Sequence, residues 1–445
     1  MVKTLPYSYH HIWKVAYPIL ISLIMEQLIG MTDTAFLGRV GEVELGASAI
    51  AGVYCLAIFV AGMGFGIGSQ IIIARRNGEG NYRETGNIFY HGVYFLLGLA
   101  VVIIALSELF STWILHRMVS SQEIADAAME YVRWRLVGFI FAFVTVMFRA
   151  FYVGTTQTKT LTLNSIVMVL ANVLFNWILV FGNLGFPALG IAGSAIGSTL
   201  AELVSLIFFI VYTVRRTDCG KYGLDRKINF SWGKLRGILS ISVWTMIQNF
   251  LSVSTWFIFF LCVEHLGERA LAESNVVRSI SGFIWVFASA FSSTCSSLVS
   301  NLIGEGHQDS ATRLIRRIIK LAYAPVLVLL VLFCVFPKTV ISIYTDIPGI
   351  IDGAVPSLRV LCAAYLFTTP ALICFNAISG TGNTRTAFGL EILVLVIYTA
   401  FCIFIINGLK PPVWVAWLTE VIYGAAMLTA CSLYLKSGRW KGKAI

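Results

Sequence analysis

The sequence predicts an all-α integral membrane protein with twelve transmembrane helices, arranged as two parallel six-helix repeats. Two observations lead to this fold class. First, the 445 residues are 58% hydrophobic and only 12% charged, with a mean hydropathy of +0.83, whereas soluble proteins carry about 25% charged residues. Second, short segments of the first half recur in the second half at a constant separation of 226 residues.

Twelve apolar segments are long enough to cross a membrane. A bilayer core about 30 Å thick requires roughly 20 apolar residues per helix. Polar turn sequences such as RRNGEGNYRE and GTGNTRT separate the segments. The predicted spans are centred near residues 25, 58, 97, 143, 171, 203, 252, 287, 328, 368, 396 and 423.

The distribution of basic residues predicts the orientation of the spans, because lysine and arginine favour cytoplasmic loops. With a cytoplasmic N-terminus, the cytoplasmic segments hold most of the basic residues, seven of them between residues 215 and 236. We therefore expect a multi-pass protein of the cell membrane with both termini in the cytoplasm. The net charge of +10 follows from this topology and does not indicate a nucleic-acid partner. The outer loops hold only Arg39, Arg117, Arg269, Lys338 and Lys410.

Cysteine and histidine patterns favour neither a cofactor nor an enzyme. The nine cysteines are scattered without a C-x-x-C pair, and the six histidines form no H-x-x-x-H or H-E-x-x-H motif. Disulfides and a metal centre are therefore not expected. A membrane-embedded enzyme would need a buried catalytic constellation, and His91, the histidine most nearly within a span, has no evident partner in the sequence.

The internal repeat divides the chain into two similar halves. We predict an N-terminal six-helix lobe at 1–214, a basic cytoplasmic linker loop at 215–236 and a C-terminal six-helix lobe at 237–445. Six spans per half give both copies the same orientation. Four pairs of segments carry the repeat: GEG at 78–80 and 304–306, GTTQTKT at 154–160 and GTGNTRT at 380–386, Gly41 and Gly267 in related contexts, and Gly182 and Gly408.

Parallel repeats of this kind are typical of transporters, which hold a substrate between two halves and alternate its access to the two sides. The alternative is a duplicated scaffold without transport, such as a receptor or an assembly factor.

Several motifs resemble those of the multidrug and toxic compound extrusion (MATE) transporters. They are MTDTAFLGRVG in the first helix, GTTQTKTLTLN and ANVLFNWILVFG in the fifth, LGIAGSAIGSTLAE in the sixth and FNAISGTGNTRT in the second half. The resemblance covers nearly the whole chain and is nearest to the branch of the DNA-damage-inducible protein F.

The resemblance implies a V-shaped bundle with a central cavity and the export of organic cations against inward Na⁺ or H⁺. It implies no cofactor besides this coupling ion. In that branch the coupling site lies in the N-terminal lobe. Other branches carry acidic residues on the seventh and tenth helices, where this chain has the uncharged Gln248 and Thr368. We therefore expect these two residues to line the cavity without forming a second cation site.

Asp33 stands near the end of the apolar run that begins at Ile12. An ionised carboxylate in a transmembrane helix costs roughly 2.5–3.5 kcal/mol, so it usually has a partner and a function. Such a carboxylate can hold either a proton or a hard cation. The resemblance implies that Asp33 is the coupling aspartate, with Na⁺ as the only candidate metal ion. Its position alone also allows a carboxylate that simply reaches the interface.

Asn172 and Asn176 are spaced i, i+4 on the fifth helix, so both amides face one side. One interpretation is hydrogen bonding between helices. The other, which the resemblance supports, is that their carbonyl oxygens join Asp33 in a cation site. The second position is often aspartate in that branch, so Asn176 leaves this site one negative charge short. Ser194 and Thr199 on the sixth helix are expected to add hydroxyl oxygens.

Glu26 precedes Asp33 by seven residues and lies near the same helix face. It is either a second titrating group in the cavity or the partner of a polar neighbour. Glu202 and Glu420 occupy similar places in the sixth and twelfth helices. Arg149 and Arg278 are interpreted as packing or gate residues, because an arginine repels a cationic substrate.

The predicted function is a cation-coupled antiporter that exports amphipathic organic cations by alternating access. Aromatic residues make up 13% of the chain, and an aromatic, Met-containing cavity suits lipophilic cations. We expect a functional monomer surrounded by membrane lipids. The alternative is a flippase or exporter of a lipid-linked or amphiphilic metabolite, for which the position of the basic residues in cytoplasmic loops is less suitable.

Overall fold

The computed structural model describes residues 7–119, 121–225 and 228–442, and the predicted twelve spans are confirmed in it. Every long element in these ranges is helical. The first six spans are α1 Tyr9–Leu37, α2 Glu42–Gly78, α3 Tyr82–Met118, α4 Gln122–Gly154, α5 Lys159–Phe181 and α6 Gly190–Arg216. The last six are α7 Trp232–Glu264, α8 Glu268–Gly304, α9 Ala311–Val335, α10 Pro348–Gly380, α11 Thr384–Phe401 and α12 Leu418–Ser437.

The repeat that the sequence predicts is confirmed by the helix boundaries. Helix α2 ends at Gly78 and α8 at Gly304, and α4 ends at Gly154 and α10 at Gly380, each pair 226 residues apart. The corresponding first residues have the same separation in both pairs. The two halves are therefore built from the same succession of helices with the same lengths.

One compact unit comprises Ile21–Met246. Its core is aromatic, with the rings of Phe148 and Phe209 stacked 5.3 Å apart between α4 and α6. The first part of α7 joins this unit through glycines of α2. Thr245 donates to the carbonyl of Gly64 at 2.6 Å, and a Cβ on Gly64 would lie 2.8 Å from that threonine's carbonyl oxygen.

Helices α5 and α6 approach each other closely enough to bring their polar faces together. Helix α5 ends at Gly182, whose left-handed conformation turns the chain back toward α6. At Gly193 on α6, a Cβ would lie 2.6 Å from the backbone carbon of Leu179 on α5. Only glycine permits this contact, which sets the distance between the asparagines of α5 and the serines of α6.

The polar segment after α6 is held against the same unit. Tyr90 donates to the carbonyl of Leu224 at 2.6 Å, and the backbone N–H of Ser231 donates to Nε2 of His91 at 3.0 Å. The buried His91 ring also contacts the carbonyl of Asn87 through Nδ1, at 2.8 Å. Although the sequence shows no partner for His91, the fold supplies two.

The second compact unit comprises the described residues of Met1–Leu20 together with Ile247–Ile445. Its core includes Phe259, Trp417 and Tyr398, with the rings of Phe259 and Trp417 5.2 Å apart. The start of the chain is fixed within this unit, because Tyr7 donates to Glu305 at 2.6 Å.

The division of the chain into 1–214, 215–236 and 237–445 stays a prediction. The compact units begin and end inside α1 and α7, and the segment after α6 belongs to the unit of Ile21–Met246. Arg226 and Lys227 of the predicted linker lie outside the described residues.

Candidate functional site

The carboxylate of Asp33 is held by three donors from two other helices. Its Oδ1 accepts from Nδ2 of Asn172 at 3.1 Å and from Nδ2 of Asn176 at 2.5 Å. Its Oδ2 accepts from the hydroxyl of Ser198 at 3.0 Å. Helices α1, α5 and α6 therefore meet at one carboxylate. Hydrogen bonds of this kind to a charged acceptor are roughly twice as strong as neutral ones, and they favour the ionised carboxylate.

The asparagines reach Asp33 because they are one helical turn apart on the buried face of α5. Both side chains are fully buried. Nδ2 of Asn172 also donates to Ser198 at 3.1 Å, which connects the α5 and α6 sides of the site. Gly197 on α6 leaves room for Asn176, since a Cβ there would collide with the Oδ1 atom of that amide.

The amides face Asp33 with nitrogen, whereas the sequence interpretation expected oxygen. Asn172 and Asn176 each donate an N–H to the carboxylate, an arrangement that suits an ionised Asp33 without a bound cation. Oδ1 of Asn176 is buried and has no hydrogen-bond partner in the part of the chain that the structure describes. Rotation of this amide about its last torsion would present that oxygen to a cation at Asp33, which is a ligand type that hard cations prefer.

The hydroxyl ligands differ from the expected pair. Ser194 is fully buried, and its Oγ lacks a hydrogen-bond partner among the described residues. Thr199 instead donates to the backbone carbonyl of Trp134 on α4 at 3.0 Å. Ser198, which the sequence interpretation missed, supplies the hydroxyl that contacts Asp33. Its spacing of four residues from Ser194 places the two serines on one helix face, and this spacing was the available signal.

Two ion pairs accompany the site. Glu26 on α1 pairs with Arg149 on α4, so the structure gives Glu26 a basic partner within its own unit. Both side chains remain about one third exposed, at 39% and 31%. Arg135 on α4 pairs with Glu202 on α6 at 2.9 Å, and Arg135 was missed by the sequence interpretation.

Gln248 and Thr368 belong to the other unit. The backbone carbonyl of Gln248 accepts from Ser252 at 3.0 Å within α7. Thr368 is buried on α10 where it meets α12, since a Cβ on Gly424 would lie 2.5 Å from its Oγ1. Their role as cavity residues stays a prediction.

The second unit contains its own buried carboxylates, on helices other than the seventh and tenth. Glu391 on α11 accepts from Ser252 at 2.7 Å and from the hydroxyl of Tyr423 at 3.1 Å. Glu420 at the start of α12 accepts from Tyr398 at 2.9 Å. By the repeat of 226 residues, Tyr398 corresponds to Asn172 and Glu420 to Ser194. The acidic residue of this half thus stands on its last helix, whereas its counterpart Asp33 stands on the first.

Comparison with known families identifies this arrangement. The family model described as MatE matches residues 18–178 and 245–404, once in each half of the chain. The chain belongs to the MatE family. It is therefore a membrane transporter and not an enzyme, as the motifs around Asp33 predicted. Its placement nearest to the branch of the DNA-damage-inducible protein F stays a prediction.

Individual relatives and solved structures agree with this family. "Probable multidrug resistance protein NorM" of Thermotoga maritima is 23% identical over 443 residues, 97% of this chain and 93% of the relative. "Multidrug resistance protein MdtK" of Edwardsiella ictaluri is 23% identical over 430 residues, 93% of this chain and 92% of the relative. A solved outward-facing multidrug resistance MATE family transporter matches with a TM-score of 0.89 at 18% identity, over 98% of this chain and 97% of that one. The chain therefore shares the fold over nearly its whole length.

Proposed function

We propose that this MatE-family transporter exports amphipathic organic cations in exchange for Na⁺ or H⁺, and that Asp33 carries the coupling ion. The observation that carries the proposal is the Asp33 carboxylate, which Asn172, Asn176 and Ser198 hold inside a membrane-spanning bundle. A carboxylate at this position is costly unless it has a function. The description of several relatives as multidrug resistance proteins supports the substrate class.

The coupling follows from charge neutralisation at Asp33. Without the coupling ion, the ionised carboxylate holds the two asparagine amides and the Ser198 hydroxyl and attracts a cationic substrate. Binding of Na⁺ or H⁺ removes the negative charge, so these three donors lose their acceptor and the contacts between α1, α5 and α6 rearrange. The attraction for the substrate is lost in the same step, and the substrate is released.

A single ion at this site suffices for useful export. One elementary charge that moves down a potential of 100 mV supplies about 2.3 kcal/mol. This free energy corresponds to roughly 50-fold accumulation of a substrate, because each 1.4 kcal/mol is a factor of ten. The proposal includes both termini in the cytoplasm and a functional monomer in the cell membrane.

The test is ethidium extrusion from proteoliposomes under a Na⁺ gradient or a pH gradient, imposed separately. Wild type is compared with Asp33→Asn and with Asp346→Asn, which removes an exposed carboxylate outside the site. We expect extrusion to follow one of the two gradients, to be abolished by Asp33→Asn and to persist in Asp346→Asn.

Two results would contradict the proposal. Dye movement under neither gradient would remove the assignment of substrate and coupling, and would favour the export of a lipid-linked or amphiphilic metabolite. Full gradient-driven extrusion by Asp33→Asn would show that the coupling ion binds elsewhere.

A further inference from the structure

A buried ion pair lies beside the Asp33 site. Arg135 on α4 donates from Nη2 to Oε1 of Glu202 on α6 at 2.9 Å, and the two side chains are only 17% and 10% exposed. Within the membrane, such a pair avoids the cost of two separate buried charges. It has no part in the coupling described above, so its position relative to Asp33 decides what it can do.

Glu202 is one helical turn from the serine that contacts Asp33. Ser194, Ser198 and Glu202 follow each other at intervals of four residues on α6 and therefore share one face. Ser198 donates to Asp33 at 3.0 Å. Residues one turn apart have Cβ atoms about 5–6 Å apart, so the Arg135–Glu202 pair adjoins the coupling carboxylate. Arg135 acts electrostatically on Asp33 as well as on Glu202.

The pair does not use all of its hydrogen-bonding capacity. Nη1 of Arg135 and Oε2 of Glu202 are both buried without a hydrogen-bond partner among the described residues. Arginine and carboxylate usually form two parallel hydrogen bonds, but here a single one is present. Gly138, one turn after Arg135, makes room for this geometry, because a Cβ there would lie 2.7 Å from Oε2 of Glu202. The guanidinium thus retains a free donor next to a second carboxylate.

The charges of the three groups sum to a value that one monovalent cation balances. With Asp33 ionised, two carboxylates and one guanidinium give a net charge of −1. Addition of one Na⁺ or H⁺ makes the cluster neutral. The other titratable groups that act on Arg135 are Tyr131 on α4 and Cys55 on α2, which are neutral in their protonated forms.

We propose that Arg135 is an internal competitor of the coupling ion at Asp33, and that Glu202 restrains it. This inference rests on the proposed function of Asp33. When the site is empty, the free N–H of Arg135 stabilises the ionised Asp33. When the coupling ion arrives, Arg135 stays with Glu202 and the ion takes its place beside Asp33. Arg135 and Glu202 are positioning residues that set the affinity for the ion and limit the site to one positive charge.

The two single substitutions are expected to shift ion binding in opposite directions. Glu202→Gln releases Arg135 to pair with Asp33, which should raise the cation concentration for half-maximal effect on the order of tenfold. Arg135→Gln removes the competitor and should lower that concentration by a similar factor. The double variant restores the net charge of −1 and should return to within about threefold of wild type. A purely structural role would weaken ion binding in both single variants.

The experiment measures release of bound ethidium from the purified full-length transporter. One titration uses Na⁺ at pH 8.5, and the other lowers the pH in Na⁺-free buffer. Thermal unfolding of each variant shows whether it is folded, and Arg135→Lys and Glu202→Asp serve as charge-preserving controls. If Glu202→Gln does not fold, the direction of the shift in Arg135→Gln still tests the inference.

The outcomes separate this inference from the proposed function. Equal cation requirements in wild type and both single variants, or shifts in the same direction, would overturn the role of Arg135. If that happens while Asp33→Asn abolishes the response to cations, only the inference fails. If Asp33→Asn keeps the wild-type response, the proposed function fails as well.

Discussion

Replacement of Asn176 by aspartate adds a second carboxylate directly beside Asp33. Nδ2 of Asn176 lies 2.5 Å from Oδ1 of Asp33, and Asn176→Asp places an oxygen with partial negative charge at that position. With the two carboxyl centres about 4 Å apart, their repulsion is on the order of 4 kcal/mol at an effective dielectric constant of about 20. A cation bound between the two carboxylates relieves this repulsion.

We therefore expect Asn176→Asp to bind the coupling cation at least tenfold more tightly and to be less stable than wild type without it. Thermal unfolding of the purified protein, titrated with NaCl at pH 8.5 against choline chloride, measures both effects. The melting temperature of the variant should be below that of wild type in choline and should rise more steeply with Na⁺ or with added protons.

The matched control is Asn164→Asp, which introduces the same group on the same helix. Asn164 is buried and bonded to Ser205 at 2.8 Å, about 18 Å along the helix axis from Asn176. This variant should lose stability without gaining a response to cations. If Asn176→Asp responds to cations as wild type does, or if the control gains the same response, the geometry derived for the site is wrong.

Three further predictions concern residues around the site. Ser198→Ala should change the cation concentration for half-maximal dye release by about tenfold, since hydrogen bonds to charged groups contribute about 1.5–3 kcal/mol, whereas Thr199→Ala should change it less than twofold. Gly193→Ala should lower the free energy of unfolding by about 1–3 kcal/mol through overpacking, and Gly237→Ala, which has open space around it, serves as control in denaturant titrations. His91→Phe should cost about 1–3 kcal/mol by leaving a backbone N–H without its acceptor; increased hydrogen exchange of that amide would confirm it, and unchanged exchange would contradict it.

Much of the fold could be predicted because its signals are local. A run of about 20 apolar residues identifies a span wherever it occurs, and the constant separation of the repeat needs no knowledge of packing. The asparagines of the site were accessible for a similar reason. Asn172 and Asn176 are spaced by one helical turn, and an amide pair of that spacing stands out in an apolar segment.

The remaining parts of the site depend on distances that the sequence does not contain. Ser198 and Thr199 are adjacent hydroxyl residues, and only the rotation of α6 against α5 decides which one meets Asp33. That rotation is set by close contacts at glycines, whose effect depends on the opposite helix. Likewise, Arg135 and Glu202 are 67 residues apart, and no periodicity connects them. Which way an asparagine amide points is decided by its neighbours, so the nitrogen contacts to Asp33 were not predictable.

The membership of the chain ends in the two compact units has a practical consequence for fragment complementation. The unit of Ile21–Met246 begins inside α1 and ends inside α7. A gene divided in the polar segment after α6 would encode a first fragment without the part of α7 that packs against Gly64. Separate expression of the two duplicated halves is therefore expected to yield fragments that each lack a helix segment of their own unit, and stable protein should appear only when both are synthesised together.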